Sequence, residues 1–318
     1  MIRALGAGTL AVLVALSVSS CGASALGGTP SGVGRPGSTA EADAGSLAPG
    51  TSIDWRRADA DDFDPGLLIS DDRFYDSAAM SVDDVQGFLE RRACIPEDGS
   101  PCLADYEQTT PDVPDAGFGH CSAYDGAAAE PASRIFVKVA RACGIAPQVL
   151  LVLVQKEQSL ISRPSVDGYL RATGYACPDT ADCDAEYFGF FNQVYNAAWQ
   201  FRQYTLYPSD RGFGVGEVDA PFSPDAACGA APVEIRNQAT ANLYNYTPYQ
   251  PNRAALASLY GDGDGCSAYG NRNFWRIYTD WFGDPAIARL PSFLGDCVLR
   301  RAGQTTCLDT YWVAPPPR

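Results

Sequence analysis

The stretch Pro147-Gln148-Val149-Leu150-Leu151-Val152-Leu153-Val154-Gln155-Lys156-Glu157-Gln158-Ser159-Leu160-Ile161 is apolar apart from Gln148 and a short polar run near its end. Pro at the first position and the Gln-Lys-Glu-Gln continuation favour a helix. Apolar runs of this length are ambiguous, and a strand over residues 149–154 is the alternative. At about 100° per residue, Leu150, Leu153, Val154, Leu160 and Ile161 fall within roughly 60° of Glu157 on the helix wheel. Lys156 and Gln158 project to the sides, and Gln155 projects away. The Glu157 side chain is therefore expected on the midline of an apolar stripe. A buried carboxyl is expensive to charge. A carboxylic acid that keeps its proton near neutral pH is what a general acid needs. The other reading of such a position is an acid neutralised by an Arg that only holds the fold together.

The chain begins with Met1-Ile2-Arg3, followed by an apolar or small run over 4–18 that ends in Val18-Ser19-Ser20-Cys21. This is too short for a membrane span and has the layout of a secretory signal over residues 1–20. Val18-Ser19-Ser20-Cys21 resembles the bacterial lipobox, which implies lipidation at Cys21; cleavage nearby without lipidation is the alternative. Residues 21–51 are rich in Gly, Ala, Ser, Thr and Pro, and no aromatic residue occurs over 22–50. They read as a flexible tether. A tether behind a lipid anchor places the working domain, over 52–284, on the outer side of the membrane, facing the cell wall. Residues 285–318 form a short tail.

Eleven Cys are present, and setting Cys21 aside leaves ten. In an exported chain an even set reads as disulfides. The close pairs Cys94–Cys102, Cys177–Cys183 and Cys297–Cys307 could each close a short loop, leaving Cys121–Cys143 and Cys228–Cys266. Spacing does not fix connectivity, so other pairings stay open. Zinc is the weaker reading, since there is no Cys-x-x-Cys and His120 is the sole His. That single His also leaves little room for Ser-His-Asp or Cys-His catalysis. The net charge of −15 argues against nucleic acid and against a basic membrane-binding face. No metal or cofactor is called for. Two of the 23 basic residues, Lys138 and Lys156, are Lys; the rest are Arg.

Most of the remaining chain reads as helix and loop. Ser81 caps a helix with Asp83 and Asp84 in its first turn and Val82, Val85, Phe88 and Leu89 on its apolar face. Pro131 starts and Gly144 stops a second helix. The tight link to the Glu157 helix predicts an antiparallel pair. A Gly-, Asp-, Cys- and Tyr-rich excursion follows, then Gly189-Phe190-Phe191-Asn192-Gln193-Val194, with helical spacing onward to Phe201. Residues 203–232 read as loop. Residues 238–243 read as helix, running into Tyr244-Asn245-Tyr246-Thr247-Pro248-Tyr249, and 274–282 is a last amphipathic helix. The fold class expected is mainly α with long disulfide-stapled loops. The core is placed at about 131–283, with an N-terminal extension over 52–130.

A Glu closing an apolar helix, a Gly opening a helix with an inward amide and a Tyr-Asn pair ending a third come in the order seen in lytic transglycosylases. The chain thus resembles the lysozyme-like superfamily of peptidoglycan glycosidases over about 131–283. Gln158, Asn192 and Tyr246-Thr247-Pro248 depart from the family wording. The Gln-Lys-Glu-Gln and Asn-Tyr-Thr-Pro wording is also similar to a set of exported actinobacterial proteins. The resemblance implies a lysozyme-like helical domain acting on peptidoglycan glycan strands. It makes Glu157 the general acid, Gln193 an amide lining the sugar groove, and Tyr244 or Tyr246, with Asn245, the face opposite the acid.

Cleaving a glycosidic bond needs a proton on the leaving oxygen and relief of positive charge at the anomeric carbon. A second carboxylate would come from Asp179, Asp182, Asp184 or Glu186, with Glu186 and Asp184 preferred. The resemblance also offers a route in which the substrate's own acetamido group assists. Tyr175, Tyr187, Phe191, Tyr246 and Tyr249 are available to stack on sugar faces. Gly261-Asp262-Gly263-Asp264-Gly265 has the look of a calcium loop, but Asn273 stands where an EF-hand needs Glu. Two functions compete: a lipid-anchored glycosidase, and a wall-binding or adhesion domain on the same scaffold without catalysis.

Overall fold

The computed structural model describes residues 57–178 and 182–287. Nine α-helices and two small antiparallel sheets occur among them. The helices are α1 (Asp71–Phe74), α2 (Val82–Glu90), α3 (Ala132–Cys143), α4 (Pro147–Gln158), α5 (Val166–Leu170), α6 (Phe190–Leu206), α7 (Gln238–Tyr246), α8 (Arg253–Ala257) and α9 (Gly270–Phe282). β1 (Glu107–Gln108) pairs with β2 (Glu130–Pro131), and β3 (Gly216–Pro221) with β4 (Ala230–Ile235).

α4 is the central element. All eight residues from Pro147 to Val154 are buried, and the helix packs against α3, α6 and α9. A helix apolar on every side can be accommodated only in an interior. Each of its Leu and Val side chains contributes about 1.5–3 kcal/mol by burial. Truncating Leu150 or Leu153, both fully buried, to Ala is expected to cost about 2–5 kcal/mol.

The start and stop signals for α3 behave as read. Gly144 takes φ +67° and its N–H bonds the Ala140 carbonyl. The expected antiparallel pairing of α3 and α4 does not form: the chain bends by 118° between them. The three-residue link is pinned away from a full return, because the Ala146 N–H bonds the Phe74 carbonyl at 2.8 Å. No single described helix is long and apolar enough to cross a membrane.

The segment before Pro131 is part of the core, not an extension from it. Leu68, Phe74, Val85, Phe88, Leu89 and Leu103 lie in the same buried cluster as α3, α4 and α6. Backbone groups at Leu68 and Ile69 are tied to Thr240 and Asn237 at the start of α7. These contacts join residues 172 and 168 positions apart, so local patterning could not display them. α2 keeps its expected cap, with Ser81 and Asp84 closing a reciprocal capping box.

The loop reading of 203–232 is corrected at both ends. α6 runs on to Leu206, and β3 pairs with β4 in a hairpin. Val218 and Ala220 face inward opposite Val233 and Ala231 while Glu217, Asp219 and Glu234 face out. That two-residue period was interrupted by Pro221 and Pro232, which an edge hairpin tolerates.

Four disulfides close among the described residues: Cys94–Cys102, Cys121–Cys143, Cys177–Cys183 and Cys228–Cys266. They agree with the expected pairing and point to an oxidising environment. Cys21, Cys297, Cys307 and Asp179 lie outside the described residues.

Candidate functional site

α4 leaves the core in its last turn, where Gln155, Lys156, Glu157 and Gln158 are partly exposed. Ser159 takes a left-handed conformation at φ 52° and ends the helix. The Leu160 and Ser159 N–H groups bond back to the Val154 and Gln155 carbonyls. Gln155, read as projecting away, accepts from the Ile161 and Ser162 N–H groups and so holds the returning chain. Leu160 and Ile161 are therefore not on the helix, and two of the five stripe residues drawn around Glu157 drop out. The Glu157 side chain is 25% exposed, and Lys156 Nζ lies 2.5 Å from its Oε1. The expectation of an acid isolated in hydrocarbon is overturned, since the carboxyl sits at the rim beside a cation.

Lys156 is the buried partner, with its side chain only 5% exposed. It also donates to Thr247 Oγ1 at 2.9 Å and lies 5.9 Å from the Tyr246 ring centroid. Thr247 is itself fixed. Its carbonyl accepts from Asn271 Nδ2, and its methyl occupies space that any side chain at position 270 would need, which Gly270 leaves free. Among the described residues, no protein hydrogen bond reaches Glu157 Oε2. Gly174 faces that oxygen: a Cβ placed on it would sit 3.6 Å away, and its φ of +69° is one that side-chain-bearing residues rarely adopt.

The loop bearing Gly174 is fastened to α6 by Gln193. Gln193 Oε1 accepts from the Thr173 and Tyr175 N–H groups, and its Nε2 donates to the Tyr175 and Tyr187 carbonyls. Gln193 is fully buried, so its expected place in a sugar groove is corrected: it braces the loops that border Glu157 and cannot touch a ligand. Gly189 opens α6 at φ +103° as the motif suggested. Tyr175 and Tyr187, both partly exposed, meet edge to face at 5.0 Å. The Tyr246 hydroxyl donates to the Thr173 carbonyl at 2.8 Å. Burial, then the nearby Glu157 charge, push that hydroxyl well above the usual phenol range, so it stays a donor.

Other predicted contacts resolve differently. Tyr244 is fully buried and stacks on Phe213, so of the two candidates Tyr246 is the tyrosine near the acid. Asn245 exchanges hydrogen bonds with both backbone groups of Phe213 and also bonds the Ala241 carbonyl. Its amide is consumed in holding that loop. Phe191 is in the core against Tyr124 and Tyr195. Asp182, Asp184 and Glu186 are exposed. Asp184 caps a short turn by accepting from the Glu186 N–H, and no ion pair or hydrogen bond joins these acids to Glu157. Tyr249 is partly exposed and its carbonyl accepts from Asn271.

The chain matches no protein-family model, no curated protein and no solved structure. What it can do is therefore read from the site alone. His120 accepts from the Cys121 N–H through Nδ1, shares a hydrogen bond with Gln203 through Nε2 and lies against Trp199. Burial pushes its pKa down, and its two nitrogens are occupied within the fold. Asp264 in the Gly-Asp-Gly-Asp-Gly turn accepts from Asn252, Ser267 and the Cys266 N–H. No group of three His, Cys, Asp or Glu among the described residues could hold a metal ion.

Sequence reasoning missed Lys156, Thr173 and Gly174 as parts of the site. One signal was present: Lys is used only twice in a chain otherwise supplied with Arg. A second escaped entirely. Among the described residues Glu130 is the fully buried acid, with bonds from Lys138 at 2.6 Å, Thr110 at 2.5 Å and Tyr124 at 2.7 Å.

Proposed function

We propose that the protein is an exported, lipid-anchored glycosidase that cleaves the β-1,4 glycan strand of peptidoglycan. Glu157 acts as general acid through Oε2. The reading rests on one observation: this carboxylate faces outward, with its cation behind it and tyrosines and a glycine beside it. Oε1 is engaged by Lys156, which fixes the carboxyl plane and leaves Oε2 to meet the leaving oxygen of the substrate. Tyr175, Tyr187 and Tyr246 offer ring surface of the kind that pyranose faces cover. Among the described residues no second carboxylate contacts Glu157, which favours assistance by the substrate's own acetamido group over a carboxylate nucleophile. In this reading the helical domain is lysozyme-like, Cys21 holds it to the membrane by its lipid, and peptidoglycan strands are its partner. No cofactor is involved.

Digestion of purified glycan strands followed by mass spectrometry tests the proposal. Anhydro ends identify a transglycosylase and reducing ends a hydrolase. Glu157→Gln is expected to abolish cleavage at a nearly unchanged melting temperature; unchanged turnover would eliminate the mechanism. The Lys156–Glu157 ion pair favours a second reading, in which the acid is neutralised within the fold and the domain only binds the wall. Retained glycan binding with no products in the unmodified protein would select it.

A further inference from the structure

α6 is the longest helix among the described residues and carries one charged side chain, Arg202, which is 4% exposed. The solvent sides of α2, α3 and α9 all bear charge, at Asp83, Arg134 and Asp280 among others. The solvent side of α6 is dominated instead by amides and aromatic rings: Asn192, Asn196, Trp199, Gln200 and Gln203, with Tyr207 at the C-terminal cap. An uncharged face of this length stands apart in a chain of net charge −15. Asn192 and Asn196 each donate one amide hydrogen to a backbone carbonyl, of Phe188 and of Asn192. Those bonds fix the two side chains and leave their Oδ1 atoms as acceptors.

A loop widens the same face. Phe118 is 96% exposed, more than any other large apolar side chain described. Its backbone is left-handed at φ 52°, between Gly117 and Gly119, each at φ 72°. A side-chain-bearing residue seldom adopts that conformation. The turn is nonetheless held firmly on α6. The Gly119 carbonyl accepts from Arg202 Nε at 2.9 Å and Nη2 at 2.7 Å. His120 shares a hydrogen bond with Gln203 at 3.2 Å and lies 4.6 Å from the Trp199 ring. Cys121, the next residue, is tied to Cys143. The Phe118 ring is thus presented to solvent by a braced turn beside Trp199 and Gln203.

We infer that the solvent face of α6, with the Phe118 turn, is a second glycan-holding surface that takes the uncharged N-acetylated sugars of a wall strand. Aromatic rings offer an apolar body to the apolar faces of sugars. An acetamido group carries one N–H and one carbonyl, and the Asn and Gln amides answer both. Trp199 and Tyr207 are eight residues apart, about 12 Å along the helix axis, which spans more than one sugar ring. The absence of charge on the face matches a neutral ligand. A membrane is a poorer match, because no exposed residue of the face is cationic. A second copy of the chain is poorer too, since amides separate the rings instead of letting them form one apolar patch. The surface does not include Glu157, so it serves whether or not that acid cleaves.

Fluorescence titration of the full chain with a neutral chito-oligosaccharide tests this, because Trp199 is one of five Trp and lies in the face. A saturable change is expected, and it should vanish in Trp199→Phe, which keeps a ring for stacking. Replacing Phe118 and Tyr207 together by Ala is expected to weaken binding about tenfold at an unchanged melting temperature, since both rings are exposed. Phe118→Gly alone should weaken binding without lowering the melting temperature, because glycine adopts the left-handed turn freely. Glu157→Gln should leave the titration as it was. A response that survives Trp199→Phe overturns the inference, as does an affinity indifferent to the Phe118 and Tyr207 replacements. So does a face that ignores the oligosaccharide but drives self-association or binding to anionic vesicles. Cleavage without the Trp199 response removes this surface and leaves the glycosidase reading standing; the Trp199 response without cleavage does the reverse.

Discussion

Both lysines of the chain pair with a glutamate, and the two pairs are mirror images in their exposure. At Glu130 the carboxylate is the interior partner: its side chain is 0% exposed and that of Lys138 is 27% exposed. At Glu157 the order reverses, with Lys156 at 5% and the carboxylate at 25%. Glu130 is saturated by three donors from Lys138, Thr110 and Tyr124. Burial alone would raise its pKa, and that is the largest single influence. The hydrogen bonds from Lys138, Thr110 and Tyr124 together outweigh it and hold the group below its ordinary value. Glu157 keeps one oxygen without a protein donor. A compact ammonium suits both places, where the wide Arg fork would need more room. Burial of an acid is thus no sign of chemistry in itself, and direction matters more: the acid that faces out is the one a ligand can reach.

The contrast can be broken most sharply by exchanging the acids for neutral residues. Glu157→Gln should lower glycan cleavage by roughly 10²–10⁴-fold and cost only about 1 kcal/mol, since the amide oxygen can still accept from the Lys156 ammonium. Glu130→Ala should do the opposite, costing about 3 kcal/mol because Tyr124 and Thr110 lose their acceptor and Lys138 its charge partner. A melting point lowered by about 6–12 °C is expected, with the specific activity of the folded fraction unchanged. If both substitutions damage stability alike, the distinction between the two pairs fails.

The pH dependence sharpens the same point. The unfolded chain protonates Glu130 at a higher pH than the folded chain does. Its contribution is therefore complete above the ordinary value of 4.5 and is lost as pH falls through the depressed folded value. Urea midpoints measured downward from pH 5 should fall more steeply for the unmodified protein than for Glu130→Gln. Lys156→Met leaves Glu157 Oε1 without its donor and should reduce cleavage about tenfold through misplacement, with only a small loss of stability. The smallest effect is assigned to Gly174→Ala. Its left-handed backbone should cost about 1 kcal/mol, and the added methyl beside Oε2 should weaken glycan binding in the same assay.

Legibility followed the range of the interaction. Residues that act within one turn, such as Ser81, Gly144 and Gly189, could be read directly because caps and left-handed stops are local chemistry. Their tertiary partners could not. Gln193 looked like a groove residue because an amide on the inward side of a helix is equally suited to bonding a sugar or a loop backbone. Two passing loops settled the matter by consuming every one of its polar atoms. The helix wheel put Glu157 in hydrocarbon because it assumed that the helix ran on to Ile161. A single left-handed serine ended it two residues earlier than the last stripe positions require.

By itself, the sequence determined that this is a largely helical domain built around the apolar run from Pro147 to Val154, with cysteines spaced to staple its loops. Those features follow from periodicity, caps and spacing, which need no knowledge of distant neighbours. Only the tertiary structure decided which acid is interior and which faces solvent. Exposure depends on what the other helices and loops place around a side chain, and contacts such as Lys156 to Thr247 join residues 91 positions apart.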